Sequence, residues 1–410
     1  MVGDFRFWNA VLRLPVLFIL LTVMIDAMGI GLIMPVMPDL IREVQGGSLA
    51  NAALWGGVLS TVFAVMQFAF GPTVGALSDR FGRRPILIVS LVVMALDYVV
   101  MALAGSIWLL LVGRIVGGIT AATGATAGAY MADISKPEEK AANFGLIGAA
   151  FGMGFVAGPL IGGLLGEFGT RAPFYAAAAL AAINALFGMM VLRETVSDRT
   201  RRAFEWRRAN PFGAFRHLAR LPGLAPLLTV YFIYQVAFYV YPSIWSYFTQ
   251  ARFDWSTQTI GLSLGLFGIM MAVVQGGMIR VFLRVLGDRK TVIYGHLFDI
   301  LAFGVIALNA NGTVALLLTP LAAMGAVITP ALQGVMSRMV SDDAQGELQG
   351  VLVSVNALAM IISPMLMTGT FAAFTRPEAS FQFPGAPFLL SMALIAVGLA
   401  VFVRSRTVVA

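Results

Sequence analysis

The chain has 410 residues, of which 59% are hydrophobic and only 11% charged, and its mean hydropathy is +0.88. Soluble domains carry roughly a quarter charged residues, so a water-soluble globular protein is excluded. The net charge of +7 does not mark a nucleic-acid partner, because the 27 basic side chains recur on alternate loops, as the positive-inside rule requires of a membrane protein.

Segments of about 20 mostly apolar residues, each long enough to cross a bilayer as a helix, recur along the whole length. In chain order they cover 14–37, 54–76, 86–104, 107–131, 143–165, 172–192, 224–248, 258–282, 291–308, 313–337, 346–372 and 385–403. The sequence predicts an all-α, multi-pass membrane protein of twelve transmembrane helices. The first span is longer than a signal h-region of about 7–15 residues and lacks an A-x-A site, so it is read as a retained helix. One side of this arrangement, with both termini and the Arg-rich stretch 193–220, holds 22 of the 27 basic residues. That side is expected to be cytoplasmic. The chain has no cysteine, and its two histidines, His217 and His296, are too few for a histidine-based metal cluster. No metal site of its own is expected.

An ungapped offset of 205 residues superposes the two halves. Gly82 falls on Gly287, Arg84 on Arg289, Met131 on Met336, Gly145 on Gly350 and Pro159 on Pro364. Six helices is an even number, so the second half enters the membrane in the same orientation as the first. Parallel six-helix halves are a known transporter arrangement, with the substrate site near the midplane at the repeat interface. The domains expected are 1–192 as an N-terminal bundle, 193–221 as a cytoplasmic linker and 222–410 as a C-terminal bundle.

Asp26 stands alone in the apolar run Leu20 to Pro35, Asp97 and Asp299 lie in later spans, and Arg114 lies inside the fourth. Ionisable groups at membrane depth are costly and are functional candidates by default. His296 sits one helical turn before Asp299, on the same face. Asp97 and Arg114 are placed at matching depth, which also suits a structural ion pair. Between the second and third spans, "GALSDRFGRRPIL" (Gly75 to Leu87) carries four charges in six residues and reads as a loop. Its glycines allow a tight turn and close helix approach. Asp79 either pairs with a nearby arginine or sits at a helix N-terminus, where a negative charge is favoured. In the second half the copy has become "RVFLRVLGDRK", with Arg284 in place of Asp79.

The Gly75–Arg84 stretch resembles motif A of the major facilitator superfamily, G-x-L-x-D-R-x-G-R-R/K, and matches it at Gly75, Leu77, Asp79, Arg80, Gly82, Arg83 and Arg84. "LLLVGRIVGGITAATGA" resembles motif B around Arg114, and "GFVAGPLIGG", with Gly158 and Pro159, resembles the antiporter motif G-x-x-x-G-P-x-x-G-G. Stretches such as "IDAMGIGLIMPVMPDL", "LDYVVMALAG" and "PALQGVMSRMV" are similar to the tetracycline/proton antiporters of that superfamily.

The resemblance implies the major facilitator fold and proton-coupled efflux of amphipathic drugs, tetracycline-type among them, by alternating access. It implies Asp26, Asp97 and Asp299 as proton-coupling groups, and His296 is set with them as a substitute for the family's eighth-helix histidine. Asp26, Gln67, Arg114, Gln235, Tyr239, Gln333 and Asp299 would contact substrate. Gly75, Asp79, Arg80, Gly82, Arg83, Arg84, Gly158 and Pro159 would serve gating. The expected partners are a small-molecule drug, protons and the lipid bilayer. No cofactor is expected, although the drug would travel as a Mg²⁺ chelate, and the unit would be a monomer in the bacterial inner membrane. Two departures from the family stand out: Met271 replaces a histidine of the eighth helix, and Tyr239 and Tyr241 replace a glutamine and a proline of the seventh. A proton-coupled symporter or an exporter of another metabolite on the same fold is the alternative. An enzyme is not expected, since no nucleophile–base pair stands out.

Overall fold

The structure is a computed structural model that describes residues 14–121, 123–197, 201–202, 204–205, 210–213, 223–341 and 344–405, with Ala141 described by its backbone alone. His217 and much of the 193–221 linker lie outside the described residues.

Among the described residues the secondary structure is helical throughout. In the first half the helices are α1 (Leu14–Ile33), α2 (Met37–Gln45), α3 (Leu49–Phe81), α4 (Arg83–Ala102), α5 (Ile107–Thr120), α6 (Thr123–Ile134), α7 (Lys140–Gly166) and α8 (Ala172–Val191). The second half follows with α9 (Ala225–Phe238), α10 (Val240–Phe253), α11 (Thr257–Val273), α12 (Ile279–Leu308), α13 (Gly312–Ala322), α14 (Ile328–Arg338), α15 (Gln345–Ala373) and α16 (Ala386–Arg404). A π-helical turn, Val274–Met278, joins α11 to α12, and a 3₁₀ turn, Ala323–Val327, joins α13 to α14.

Among the described residues, eleven helical stretches are long and apolar enough to cross a membrane, and one of them, Thr257–Leu308, has 52 residues. At 1.5 Å per residue that is more than twice the ~30 Å hydrocarbon core. Its backbone breaks at Gly287, where φ is 72° and ψ 170°, so it makes two crossings and the spans number twelve. Gly82 breaks the chain between α3 and α4 in the same way, with φ 109° and ψ 152°. Both positions are left-handed, which a residue with a Cβ adopts only with strain. These are two of the glycines that the offset of 205 superposes.

Two expectations need correction. The first span ends at Ile33, and a separate short helix, α2, follows it, with Asp39 in its first turn and Arg42 in its last. The stretch Gly75–Leu87 is not a loop: α3 runs through Asp79 to Phe81, and Gly82 alone interrupts the helix.

The chain forms two compact units, Met1–Val36 with Val65–Pro211, and Met37–Ala64 with Phe212–Ala410. In the first unit α1 packs along α7 and α8, and α4 along α8. The α1–α7 seam is made by small residues. A Cβ at Gly154, Gly158 or Gly162 would overlap the carbonyl oxygen of Met24, Met28 or Leu32 in turn, so the stripe at i, i+4 and i+8 brings two backbones together. In the second unit α9 packs on α15 and α16. There Ser363, at the position equivalent to Gly158, donates a 2.8 Å hydrogen bond to the carbonyl oxygen of Val236. An aromatic core fills this unit, with Tyr241 ring centroids 5.5 Å from Phe303 and 6.0 Å from Phe388.

Candidate functional site

In the first unit three spans bring charge together at membrane depth. Asp97 of α4 is 8% exposed, and its Oδ1 lies against Gly113 of α5, where a Cβ would be 2.8 Å away. The next residue, Arg114, is in electrostatic contact with Asp97 and places Nη2 3.0 Å from Sδ of Met101. Tyr98, beside Asp97, presses its hydroxyl onto Gly29 of α1, one turn beyond Asp26. It is in electrostatic contact with Arg114, Asp26 and Asp97 alike. Asp97 and Arg114 therefore face one another, and Tyr98 links them to Asp26. Tyr98 carries no formal charge, and the sequence reading passed over it. Gln67 stands apart, with Nε2 3.5 Å from the carbonyl oxygen of Ala121 at the end of α5.

The second unit holds Asp299 and His296 on α12, which are 1% and 0% exposed. The Asp299 carboxyl lies on Gly325 in the 3₁₀ turn, so closely that no side chain fits at that position. His296 places Nδ1 2.8 Å from the carbonyl oxygen of Val292, and its ring stacks on Phe402 with centroids 6.4 Å apart. Among the described residues, neither Nε2 of His296 nor Oδ2 of Asp299 has a hydrogen-bond partner, so the two are neighbours in sequence without being bonded.

Gln235, Tyr239 and Gln333 meet in a polar seam between α9, α14 and α15. Tyr231 and Gln235 lie one turn apart on α9, and Tyr239 continues their stripe just past its end, between α9 and α10. Gln235 donates through Nε2 to Oδ1 of Asn356 on α15, and Tyr239 donates its hydroxyl to the same oxygen at 3.3 Å. Thr329 of α14 donates to Oε1 of Gln235 at 3.4 Å, and Gln333 donates to the hydroxyl of Tyr231 at 3.4 Å. The seam lies beside the acid: Tyr234, the neighbour of Gln235 in the chain, donates its hydroxyl 3.1 Å to the carbonyl oxygen of Gly325 beneath Asp299. Tyr241, the other departure on the seventh span, is 4% exposed and belongs to the aromatic core. Of the two replacements, only Tyr239 reaches the polar seam.

The motif residues around Gly82 form a charged cluster in the first unit. Arg83 reaches Asp79 at 2.5 Å, Asp133 of α6 at 3.4 Å and the hydroxyl of Ser78 at 2.6 Å. Asp79 lies near the C-terminal end of α3, so the helix N-terminus alternative is overturned and pairing with an arginine is what the structure shows. The acid at the start of α4 is instead Glu194, which accepts from the backbone N–H of Arg83 at 2.9 Å and of Arg84 at 3.2 Å. A carboxylate there satisfies orphan N–H groups and complements the helix dipole. Glu194 was hidden in the basic stretch after the sixth span. Arg84 donates to the carbonyl oxygen of Met189 at 3.0 Å, and Arg80 lies 5.2 Å above the ring of Phe81. Gly75 is not a close-approach position, since a Cβ there would meet no atom within 4 Å.

Two further residues escaped the sequence reading because neither is charged. Asn356 is one amide in an apolar helix, and its partners lie 117 and 121 residues away. Gln275 lies in the π-helical turn, one turn beyond Met271. Single-turn π insertions in helices are frequent at functional sites, and this one is visible only in the structure.

Twelve apolar spans, a repeat of half the chain, a motif cluster around Gly82 and ionisable groups at membrane depth together define a secondary transporter. The family model of the Major Facilitator Superfamily matches residues 19–364, and the chain belongs to that family. Within it the chain is similar to tetracycline resistance proteins. The class C protein of Escherichia coli is 44% identical over 356 residues, covering 87% of this chain and 89% of that protein. The class G protein of Vibrio anguillarum is 39% identical over 362 residues, covering 88% and 91%. Among solved structures, the human organic anion transporter MFSD10 (TETRAN) is 27% identical, with a TM-score of 0.68 over 95% of this chain and 99% of that one. A mutant of the nucleoside transporter NupG has a TM-score of 0.79 at 13% identity, covering 96% of this chain and 100% of that chain, and shows the fold alone. The chain is a multi-pass membrane protein of the major facilitator fold.

Proposed function

We propose that this chain exports tetracycline-type drugs in exchange for protons, by alternating access. The observation that carries the reading is its 44% identity with a tetracycline resistance protein over nearly the whole of both chains. Two features of the structure support it: acids on the first, third and ninth spans, half-buried at Asp26 and buried at Asp97 and Asp299, and a polar amide seam between helices that are otherwise apolar.

Asp26 and Asp299 are the first choices for proton coupling, with Asp97 and His296 beside them. An acid whose surroundings alternate between a desolvated pocket and a neighbouring cation takes up a proton on one side and gives it up on the other. Gln67, Arg114, Gln235, Tyr239 and Gln333, with the two acids, form the substrate-contacting set. Asp79, Arg80, Arg83 and Arg84, with Gly75, Gly82, Gly158 and Pro159, serve gating. The drug travels as a Mg²⁺ chelate, so the metal is part of the substrate. The protein works as a monomer in the bacterial inner membrane, with both termini cytoplasmic, on two six-helix domains at 1–192 and 222–410 joined by the 193–221 linker. It carries out transport without chemical conversion of its substrate.

The test is counterflow of labelled tetracycline in proteoliposomes under an imposed proton gradient of each sign. Antiport accumulates drug on the side from which the protons come. Accumulation in the same direction as the protons would identify the symport alternative, and no tetracycline movement under either gradient would remove the drug assignment.

A further inference from the structure

The polar seam assigns a role to Asn356 that its place in an apolar helix does not suggest. An amide oxygen offers two acceptor sites and an amide nitrogen two hydrogens. Oδ1 of Asn356 takes hydrogen bonds from Gln235 Nε2 and from the Tyr239 hydroxyl, so both acceptor sites are turned toward α9. Its Nδ2 is thereby turned the other way, along α15, where it lies 3.9 Å from the sulfur of Met360. A thioether is a weak acceptor, so that nitrogen remains able to donate to a better one.

The same two bonds fix the partners. Gln235 has committed one Nε2 hydrogen to Asn356 and accepts from Thr329 at Oε1, which settles the direction of its amide and leaves the second Nε2 hydrogen. Tyr239 has committed its only hydroxyl hydrogen, so its oxygen presents lone pairs. All three side chains are partly exposed, so the edge they form can be reached. With a glutamine in place of Tyr239, the family pattern would offer further amide donors there. Here the edge reads donor from Asn356, donor from Gln235 and acceptor from Tyr239.

We propose that Asn356 is a positioning and specificity-determining residue. It holds Gln235 and Tyr239 so that, with its own Nδ2, they present two donors and one acceptor to a flat polycyclic solute bearing neighbouring keto and hydroxyl oxygens along one edge. The keto oxygens take the amide hydrogens, and a hydroxyl of the solute donates to Tyr239. This rests on the drug-export reading above and refines it to the chemistry of the edge recognised.

Transport of tetracycline by the full chain in proteoliposomes, with KM and kcat measured separately, tests it. Asn356→Leu keeps the volume and removes the shared acceptor, and KM should rise roughly tenfold with kcat within about twofold. Asn356→Gln restores an amide and should recover part of that loss. Tyr239→Phe should raise KM by roughly threefold alone and by clearly less in the Asn356→Leu background, because both changes remove the Tyr239–Asn356 bond that orients the hydroxyl. Tyr239→Phe is mild enough to decide the matter even where Asn356→Leu does not fold. An unchanged KM in Tyr239→Phe, a fall in kcat alone in Asn356→Leu, or effects of the two that multiply independently would overturn the role of Asn356 while leaving drug export standing. A wild-type protein that carries no tetracycline would overturn both.

Discussion

Positions related by the offset of 205 residues hold the same helix-to-helix tie with its charges exchanged. In the first unit Arg83 of α4 pairs with Asp133 of α6 at 3.4 Å, and in the second Asp288 pairs with Arg338 of α14 at the equivalent places. The repeat has kept the contact while the local motif around it decayed. What differs is the setting. The Arg83 side chain is 15% exposed and also holds Asp79 and Ser78, whereas the Arg338 side chain is 60% exposed, and Arg284 occupies the place of Asp79. The helix seams differ in the same direction. Gly158 of α7 lets the backbone of α1 into contact, and its counterpart Ser363 of α15 replaces that contact by one hydrogen bond to α9. At these equivalent places the first half uses close backbone approach and a multiply bonded arginine, and the second uses individual polar contacts.

That contrast makes predictions of unequal size. The largest concerns the seams. Gly158→Val forces a side chain into the backbone of α1 and should cost about 3 kcal/mol or more, seen as loss of the folded monomer in detergent. Ser363→Ala at the equivalent place should cost about 1 kcal/mol, read as a small fall in Tm. Equal effects would show that the two seams are not different in kind.

The ion pairs come next. Arg83→Ala leaves Asp79 and Asp133 without their shared cation and should cost about 1–3 kcal/mol, whereas Arg338→Ala should cost about 0–1 kcal/mol, because an exposed pair contributes little. Exchanging the charges as Arg83→Asp with Asp133→Arg should recover only part of the loss, since Asp79 would then face a like charge. Full recovery would mean that the Arg83–Asp79 contact at 2.5 Å contributes nothing.

The smallest effect belongs to Asp39 on α2, outside the membrane spans. Burial raises its pKa above the ordinary 3.8, while Arg42 and the amide of Gln250 pull it back down. A carboxyl with a raised folded-state pKa gives stability that is present below its unfolded pKa and lost as pH rises through the folded one. The Tm of the wild type should therefore fall slightly as pH rises from about 4 through that raised pKa, and Asp39→Asn should flatten this dependence. With the Asp39 side chain 31% exposed, the difference should stay under about 1 kcal/mol. A Tm that rises over that range would reverse the sign assigned to Asp39.

Much of the fold was legible because hydropathy and charge report it directly. Twelve apolar runs gave twelve spans, and the offset of 205 superposed Gly82 on Gly287, the two positions at which the structure breaks the helix. The short helix α2 was hidden because its nine residues adjoin the first apolar run. Of the charged groups at membrane depth, Asp97 and Arg114 face one another, Tyr98 links them to Asp26, and Asp299 lies in the other unit against Gly325. What the sequence withheld was the neutral half of the polar structure. Tyr98 is one aromatic among many, Asn356 one amide without a charge, and Glu194 an acid in a run of arginines. Each is identified only by what it touches, and each touches residues far from it in the chain.

On this account, movement of drug and movement of protons are one process run by the acids at membrane depth. Proton release driven by a tetracycline gradient, recorded with a pH-sensitive dye in proteoliposomes, tests it directly. The wild type should release protons in proportion to drug carried, and an Asp26→Asn, Asp299→Asn double variant that still folds and binds drug should release none. An undiminished proton response in that variant would contradict the assignment of coupling to these two acids.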